Sequence, residues 1–271
     1  MSIKTNRLLV GFLGIPGILL LIWLGGIWFT ILVTVAILLA SFEYYQLVKS
    51  KQIYPLTFVG LFVALVIIYF YYSEQHISGF IIYALCILFI LFLLIVELFR
   101  EKSNPIMNFT TTLGGILYIP LLLGSLIGIR NFDSTYSTNF TFALFISIWI
   151  CDSAAYYAGK LWGKKKIYPR VSPNKTVAGS VAGVIGAFLA YLIMAKSGFI
   201  RFDLDLFQII LLTIISGVFG QIGDFVESLF KRDAQVKDSG VILLGHGGVL
   251  DRFDSLIIAS PLVFIFLNLY Y

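Results

Sequence analysis

Apolar residues run along this chain in long stretches separated by short polar punctuation. A stretch of about 17–25 residues is long enough to cross a bilayer as a helix. Nine such stretches are present, at roughly 8–24, 27–47, 55–73, 79–98, 111–129, 140–158, 177–195, 205–226 and 255–271. Only Gly25 and Gly26 separate the first two, which predicts a tight helical hairpin. The first stretch follows Lys4 and Arg7 in the manner of a signal peptide. No small-x-small cleavage site precedes the next run, so the segment is expected to be retained. The expected fold class is an all-α integral membrane protein of about nine transmembrane helices.

Composition supports lipid as the main solvent. The 271 residues are 59% hydrophobic and 12% charged, with a mean hydropathy of +0.97. Soluble domains carry about 25% charged residues, and so apolar a chain lacks the polar surface to stay dispersed in water. Cys86 and Cys151 both lie inside apolar runs, too few and too far apart for a disulfide framework or a thiolate metal site.

The basic residues orient the spans. With the N-terminus cytoplasmic, sixteen of the 19 Lys and Arg fall inside and only Arg130, Lys196 and Arg201 fall outside. This agrees with the positive-inside rule and places the C-terminus extracytoplasmic. Two cytoplasmic loops, 159–176 and 227–254, stand out by length and charge. The expected organisation is a transmembrane scaffold over 1–105 and a catalytic transmembrane domain over 106–271 that carries these loops.

An ionisable residue inside a span costs several kcal/mol unless it faces a cavity or a partner. Glu43, Glu97, Asp152, Asp224 and Glu227 lie within or at the ends of spans, and Asp251 and Asp254 open the last one. In the expected topology all of them sit towards the cytoplasmic side. Glu43 and Glu97 read as interfacial or helix-packing residues, and Glu227 fits packing or function equally. Asp152, deep in an apolar run, and the Asp251–Arg252–Asp254 cluster have no such structural excuse. Carboxylates beside Lys, Arg and glycine-rich backbone point to a site for a divalent cation and a polyphosphate. Mg²⁺ favours one or two carboxylates together with phosphate oxygens.

The last polar segment carries a recognisable pattern. Ser228-Leu-Phe-Lys231-Arg232, Lys237-Asp238-Ser-Gly240, His246-Gly247-Gly248 and Asp251-Arg252-Phe-Asp254 follow one another over 27 residues. Together they resemble the signature of the phosphatidate cytidylyltransferase (CDP-diacylglycerol synthase) family. Upstream, Asp152-Ser-Ala-Ala-Tyr156 resembles that family's Asp-(Thr/Ser)-x-Ala-Tyr run, and Ser172-Pro-Asn174-Lys175-Thr176 its Ser-Pro-x-Lys-Thr loop. The resemblance spans about 150–255. Leu244 departs from the usual proline or glycine, and Val177 and Ala178 from the Trp-Glu that often follows the loop.

The resemblance implies transfer of CMP from CTP to phosphatidate, giving CDP-diacylglycerol and pyrophosphate with Mg²⁺, one or two divalent ions and an additional monovalent ion being compatible with it. Phosphatidate is already an anion at pH 7, so its phosphate oxygen needs no general base. The difficulty is electrostatic, and fixed cations and metal ions relieve it. On this basis Asp224 and Asp251, with Asp152 and Asp254, are the expected metal ligands. Lys175, Lys231, Arg232, Lys237 and Arg252 would neutralise phosphates. Gly247 and Gly248 would admit phosphate to backbone N–H groups, with His246 and Asp238 nearby. Ser172, Asn174, Thr176 and Ser228 would hydrogen-bond the substrates. The expected partners are CTP, membrane phosphatidate and a second copy of the chain in a homodimer, with no nucleic acid. The expected location is the cell (inner) membrane, with the site on the cytoplasmic side. Rival readings are a CTP-dependent enzyme acting on another lipid phosphate and an ion-coupled transporter. A CDP-alcohol phosphotransferase is disfavoured, because its Asp-Gly-x-x-Ala-Arg opening is missing.

Overall fold

Gly25 and Gly26 take positive φ values of 61° and 48°, a region that residues with a Cβ seldom enter. The chain thereby reverses between two helices almost without a loop, as their spacing predicts. The computed structural model describes residues 3–73, 78–240 and 247–271, with side chains from residue 14 onward. His246, Leu244 and Gly245 lie outside the described residues.

The regular secondary structure of the described residues is helical, apart from one isolated bridge between Lys166 and Thr176. The helices are α1 (Ile3–Leu24), α2 (Gly26–Lys49), α3 (Thr57–Ser73), α4 (Gly79–Phe99), α5 (Pro105–Tyr118), α6 (Pro120–Leu123), α7 (Ser125–Asn131), α8 (Ser137–Trp162), α9 (Val177–Lys196), α10 (Leu206–Thr213), α11 (Gly220–Asp233) and α12 (Leu250–Tyr270). A π-helical segment, Ile214–Phe219, joins α10 to α11. Every predicted stretch is helical. Seven helices among the described residues, counting α5–α7 and α10–α11 as one each, are long and apolar enough to cross a membrane. The chain is therefore a multi-pass membrane protein by its apolar helices. Of the other two predicted spans, α3 has 17 residues and α1 contributes the shorter apolar segment Gly14–Leu24.

Two predicted loops are shorter than expected. α8 continues to Trp162 and α11 to Asp233, so 159–176 shrinks to 163–176 and 227–254 to 234–249. Hydropathy falls before these helices end, because their last turns carry basic residues, Lys160 on α8 and Lys231 and Arg232 on α11. Lys231 bonds Glu227 one turn earlier on α11, an i,i+4 arrangement that favours helix continuation.

Lipid-facing and protein-facing surfaces are both apolar. α4 is almost wholly apolar, and only Leu93 and Glu97 along it are buried. The core is built from α2, α7, α8 and α12 around Phe29, Ile37, Leu126, Phe140, Leu144, Ile257 and Val263. α8 packs along α9, and α11 along α12. Polar groups gather at the two ends of the bundle. At one end, Arg130 Nε donates to Ile22 O at 2.9 Å and Asn139 Nδ2 to Phe199 O at 2.6 Å. The other end brings together the C-terminal turns of α2, α8 and α11 and the N-terminal turns of α9 and α12.

Candidate active site

At this second end the loop between α8 and α9 folds back as a short hairpin. Val177 N donates to Lys165 O at 2.9 Å, and Ile167 N to Lys175 O at 3.2 Å. Thr176 ends it by capping α9, its Oγ1 accepting from Gly179 N at 3.2 Å. A threonine at this place satisfies a backbone donor that the helix itself cannot. Lys175, one residue earlier, is thereby aimed at α11. Its Nζ lies 2.7 Å from Asp224 Oδ2 and 4.3 Å from the Phe225 ring centroid.

Asp224 is the hub of a first centre. Ser228 Oγ donates to its other oxygen at 3.3 Å. Asp152 on α8 and Asp254 on α12 are within electrostatic reach of it and of one another, with Lys175 as the cation they share. α11 and α12 come this close because Gly223 has no side chain; a Cβ there would press into the backbone of Asp254 and Ser255. Three carboxylates face one ammonium.

A second centre lies one turn further along. Lys231 Nζ is 2.5 Å from both Glu227 Oε2 and Asp251 Oδ1. Glu227 is fully buried. Asp251 Oδ2 accepts from Gly248 N at 2.7 Å and from Ser239 N and Oγ at 3.0 Å each. Both oxygens of Asp251 are thus engaged, and Asp251 belongs to a different cluster from Asp224. Gly247 adopts φ +83°, and a Cβ there would meet Asp251 Oδ2 at 2.7 Å.

The remaining expected residues are distributed around these centres. Arg232 directs Nε to Val171 O at 3.3 Å and Nη1 to Val236 O at 3.2 Å, holding the two loops together. Ser172 N donates to Tyr168 O at 3.0 Å, and Asn174 O accepts from Lys166 Nζ at 3.4 Å. Lys237, Asp238 and Arg252 are exposed. Gly248 N–H, expected to face phosphate, is directed at Asp251. Among the described residues no three His, Cys, Asp or Glu side chains converge as a ready-made metal cage.

Residues that pattern reading passed over also appear here. Gln221 ties the π-helical segment to α9, its Nε2 donating to Gly217 O at 2.7 Å and Ser180 O at 3.1 Å while Ser180 Oγ donates to Gln221 Oε1. Such π segments are frequent at functional sites, and no local sequence signal marks this one. Glu43, read as a packing residue, contacts the start of α12. Ser239, between Asp238 and Gly240, donates to Asp251 from both its N–H and its hydroxyl.

A family model described as "Cytidylyltransferase family" matches residues 5–270. The chain belongs to this family. Its similarity to the phosphatidate cytidylyltransferase of Bacillus subtilis (strain 168) is 34% identity over 269 residues, covering 98% of each chain. The phosphatidate cytidylyltransferase of Staphylococcus haemolyticus (strain JCSC1435) is 46% identical over 143 residues, 52% of this chain and 54% of that one. That of Staphylococcus saprophyticus is 50% identical over 123 residues, 45% and 46% of the two chains. As a cytidylyltransferase-family member the chain is a nucleotidyltransferase, and the two charged centres are its candidate site.

Proposed function

We propose that this protein transfers CMP from CTP to phosphatidate, forming CDP-diacylglycerol and pyrophosphate for phospholipid synthesis. The observation that carries this reading is the end-to-end similarity to a phosphatidate cytidylyltransferase. A phosphatidate phosphate oxygen forms the new P–O bond at the α-phosphorus of CTP while the bond to pyrophosphate breaks. Lys175 and Lys231 are the cations best placed to meet phosphate charge, because Asp224 and the Glu227–Asp251 pair hold each at a fixed position. Exposed Lys237 and Arg252 extend the positive field towards the incoming nucleotide. Ser172, Asn174 and Thr176 line the loop that presents Lys175. The attacking oxygen is already ionised, so the site needs charge stabilisation rather than a general base.

The donor set fits a hard divalent ion such as Mg²⁺. Its atoms are carboxylate oxygens, and with no closed cage present, phosphate oxygens and water would complete the coordination. Of Asp152, Asp224 and Asp254, one or two would hold the ion beside the single positive charge of Lys175. Asp251 would join them only by releasing Lys231 or the Ser239 and Gly248 donors. Bound there, the ion would neutralise charge that builds on the phosphates.

The excess of Lys and Arg in the loops at this end supports a cytoplasmic site, an N-terminus inside and a C-terminus outside. The scaffold role of 1–105, the catalytic role of 106–271, and a homodimer in the membrane belong to the same reading. The decisive test is purified protein in detergent given CTP and phosphatidate, with the lipid product identified by mass. Formation of CDP-diacylglycerol supports the reading. Product from a different lipid phosphate, and none from phosphatidate, overturns it.

A further inference from the structure

Glu43 is 2% exposed and lies in α2, inside the segment expected to be scaffold. Its carboxylate does not face a neighbouring helix side. It meets the first turn of α12: Oε1 accepts from Val249 N at 3.0 Å and Oε2 from Leu250 N at 2.9 Å. Ser239 Oγ lies 3.1 Å from the same Oε2.

α12 lacks a local cap. Its N-cap residue is Val249, whose side chain makes no capping hydrogen bond. The first amides of a helix have no intrahelical acceptor, and they concentrate positive potential that favours an anion. Glu43, 206 and 207 residues away in sequence from the two amides it binds, supplies both acceptor and charge. The surroundings are shaped for it. A Cβ at Gly240 or Gly248 would collide with the Glu43 carboxylate.

The helix end that Glu43 anchors carries Asp251, Arg252 and Asp254. Ser239 also lies between the anchor and the site: its N–H donates to Asp251 Oδ2 at 3.0 Å, and its hydroxyl, with one proton to give, stands 3.1 Å from Glu43 Oε2 and 3.0 Å from Asp251 Oδ2. Asp251 in turn holds Lys231. A carboxylate used only for packing would be as well satisfied against any part of the bundle; this one is committed to the turn that bears the site.

We infer that Glu43 is a positioning residue for cytidylyl transfer, fixing the first turn of α12 and, through Ser239, the Asp251–Lys231 pair. This rests on the function proposed above. Glutamine is nearly isosteric but has one acceptor oxygen, and its NH₂ would face a donor. Glu43→Gln should therefore lower kcat by about tenfold or more while KM for CTP changes by less than roughly threefold. Hydrogen exchange at Val249 and Leu250 should rise by about tenfold, with α9 unchanged. Glu43→Asp keeps the charge on a shorter arm and should recover part of the lost kcat. Ser239→Ala removes only a hydroxyl and should lower kcat in the same direction, by less.

All variants would be purified in detergent beside the wild type, with the folded fraction measured by thermal unfolding. Wild-type kcat in Glu43→Gln, or a loss no larger than its loss of folded protein, would overturn the positioning role. Unchanged exchange at Val249 and Leu250 would overturn the cap itself. No CMP transfer by the wild-type protein would instead bring down the functional reading, and with it the catalytic half of this inference.

Discussion

Lys231 Nζ stands 2.5 Å from Asp251 Oδ1 and 2.5 Å from Glu227 Oε2, so one ammonium bridges a buried carboxylate on α11 to the first turn of α12. Lys231 is 12% exposed, Asp251 10% and Glu227 fully buried. Burying these three polar groups is costly, and the arrangement depends on the cation between the two carboxyl groups.

Removing Lys231 therefore has two separable consequences. Lys231→Met would leave Glu227 buried without its cation and Asp251 with only its Ser239 and Gly248 donors, a change that costs about 3–5 kcal/mol when a buried pair is broken. It should also lower CMP transfer by about 100-fold or more, as loss of a fixed cation at a developing charge does. Adding Glu227→Gln should restore most of the melting temperature but none of the turnover. Recovery of both together would reduce Lys231 to a structural brace, and a double-mutant cycle reads the difference.

Gly223 offers a steric test of the same helix pair. A Cβ there would lie 3.1 Å from Asp254 C and from Ser255 Cα, both fixed backbone atoms. Gly223→Ala should push α11 from α12, cost about 1–3 kcal/mol by overpacking and reduce turnover further than the lost stability explains. Gly220→Ala, where the nearest atom is Ser255 Cβ at 3.8 Å, is the control and should be silent. Equal behaviour of the two variants in unfolding and turnover would remove close helix approach as a requirement.

The positions of the helices were legible because spans are long apolar runs, and the Gly25–Gly26 hairpin followed from spacing alone. The helix ends were less legible. At Trp162 and Asp233 the helix outlasts its hydropathy, and at the second of these the charges of Lys231 and Glu227 are paired inside the bundle rather than solvated in a loop. The charged motif residues were readable as a group, but their partition into a Lys175–Asp224 centre and a Lys231–Asp251 centre depends on how α11 packs against the α8–α9 loop and against α12. Glu43 was hidden for a related reason. A single carboxylate in an apolar run looks like a packing residue until the helix it caps, about 200 residues downstream, is brought against it.

Topology is tested with cysteine labelling. Cys151 is buried and Cys86 exposed, so a Cys86→Ser background leaves no accessible thiol among the described residues. Arg170→Cys, in the loop that presents Lys175, should react with an impermeant thiol reagent only from the cytoplasmic side. Tyr271→Cys should react only from the opposite side. The reverse pattern would contradict the charge bias of the loops and move the site away from cytosolic CTP.

The carboxylate centre gives the last test. Lys175 and Asp224 are 25% and 35% exposed, and an ion pair that open contributes about 0–1 kcal/mol. Asp224→Asn should therefore fold and insert normally. Asp254 faces the like charges of Asp224 and Asp152, so Asp254→Asn relieves repulsion and should leave the melting temperature unchanged or higher. If these carboxylates hold a divalent ion against the substrate phosphates, each variant should nonetheless lose about 100-fold or more of its turnover, as removal of a group acting in the transition state does. Each should also lose the thermal stabilisation that Mg²⁺ with CTP gives the wild type, because a ligand that binds only the folded state raises its melting temperature. The double variant should be no worse than roughly threefold below the poorer single one, since removing either ligand already disables a shared site. Independent, multiplying losses would mean that Asp224 and Asp254 act separately. A destabilised Asp224→Asn with proportionate loss of turnover would leave it as the partner of Lys175 and nothing more.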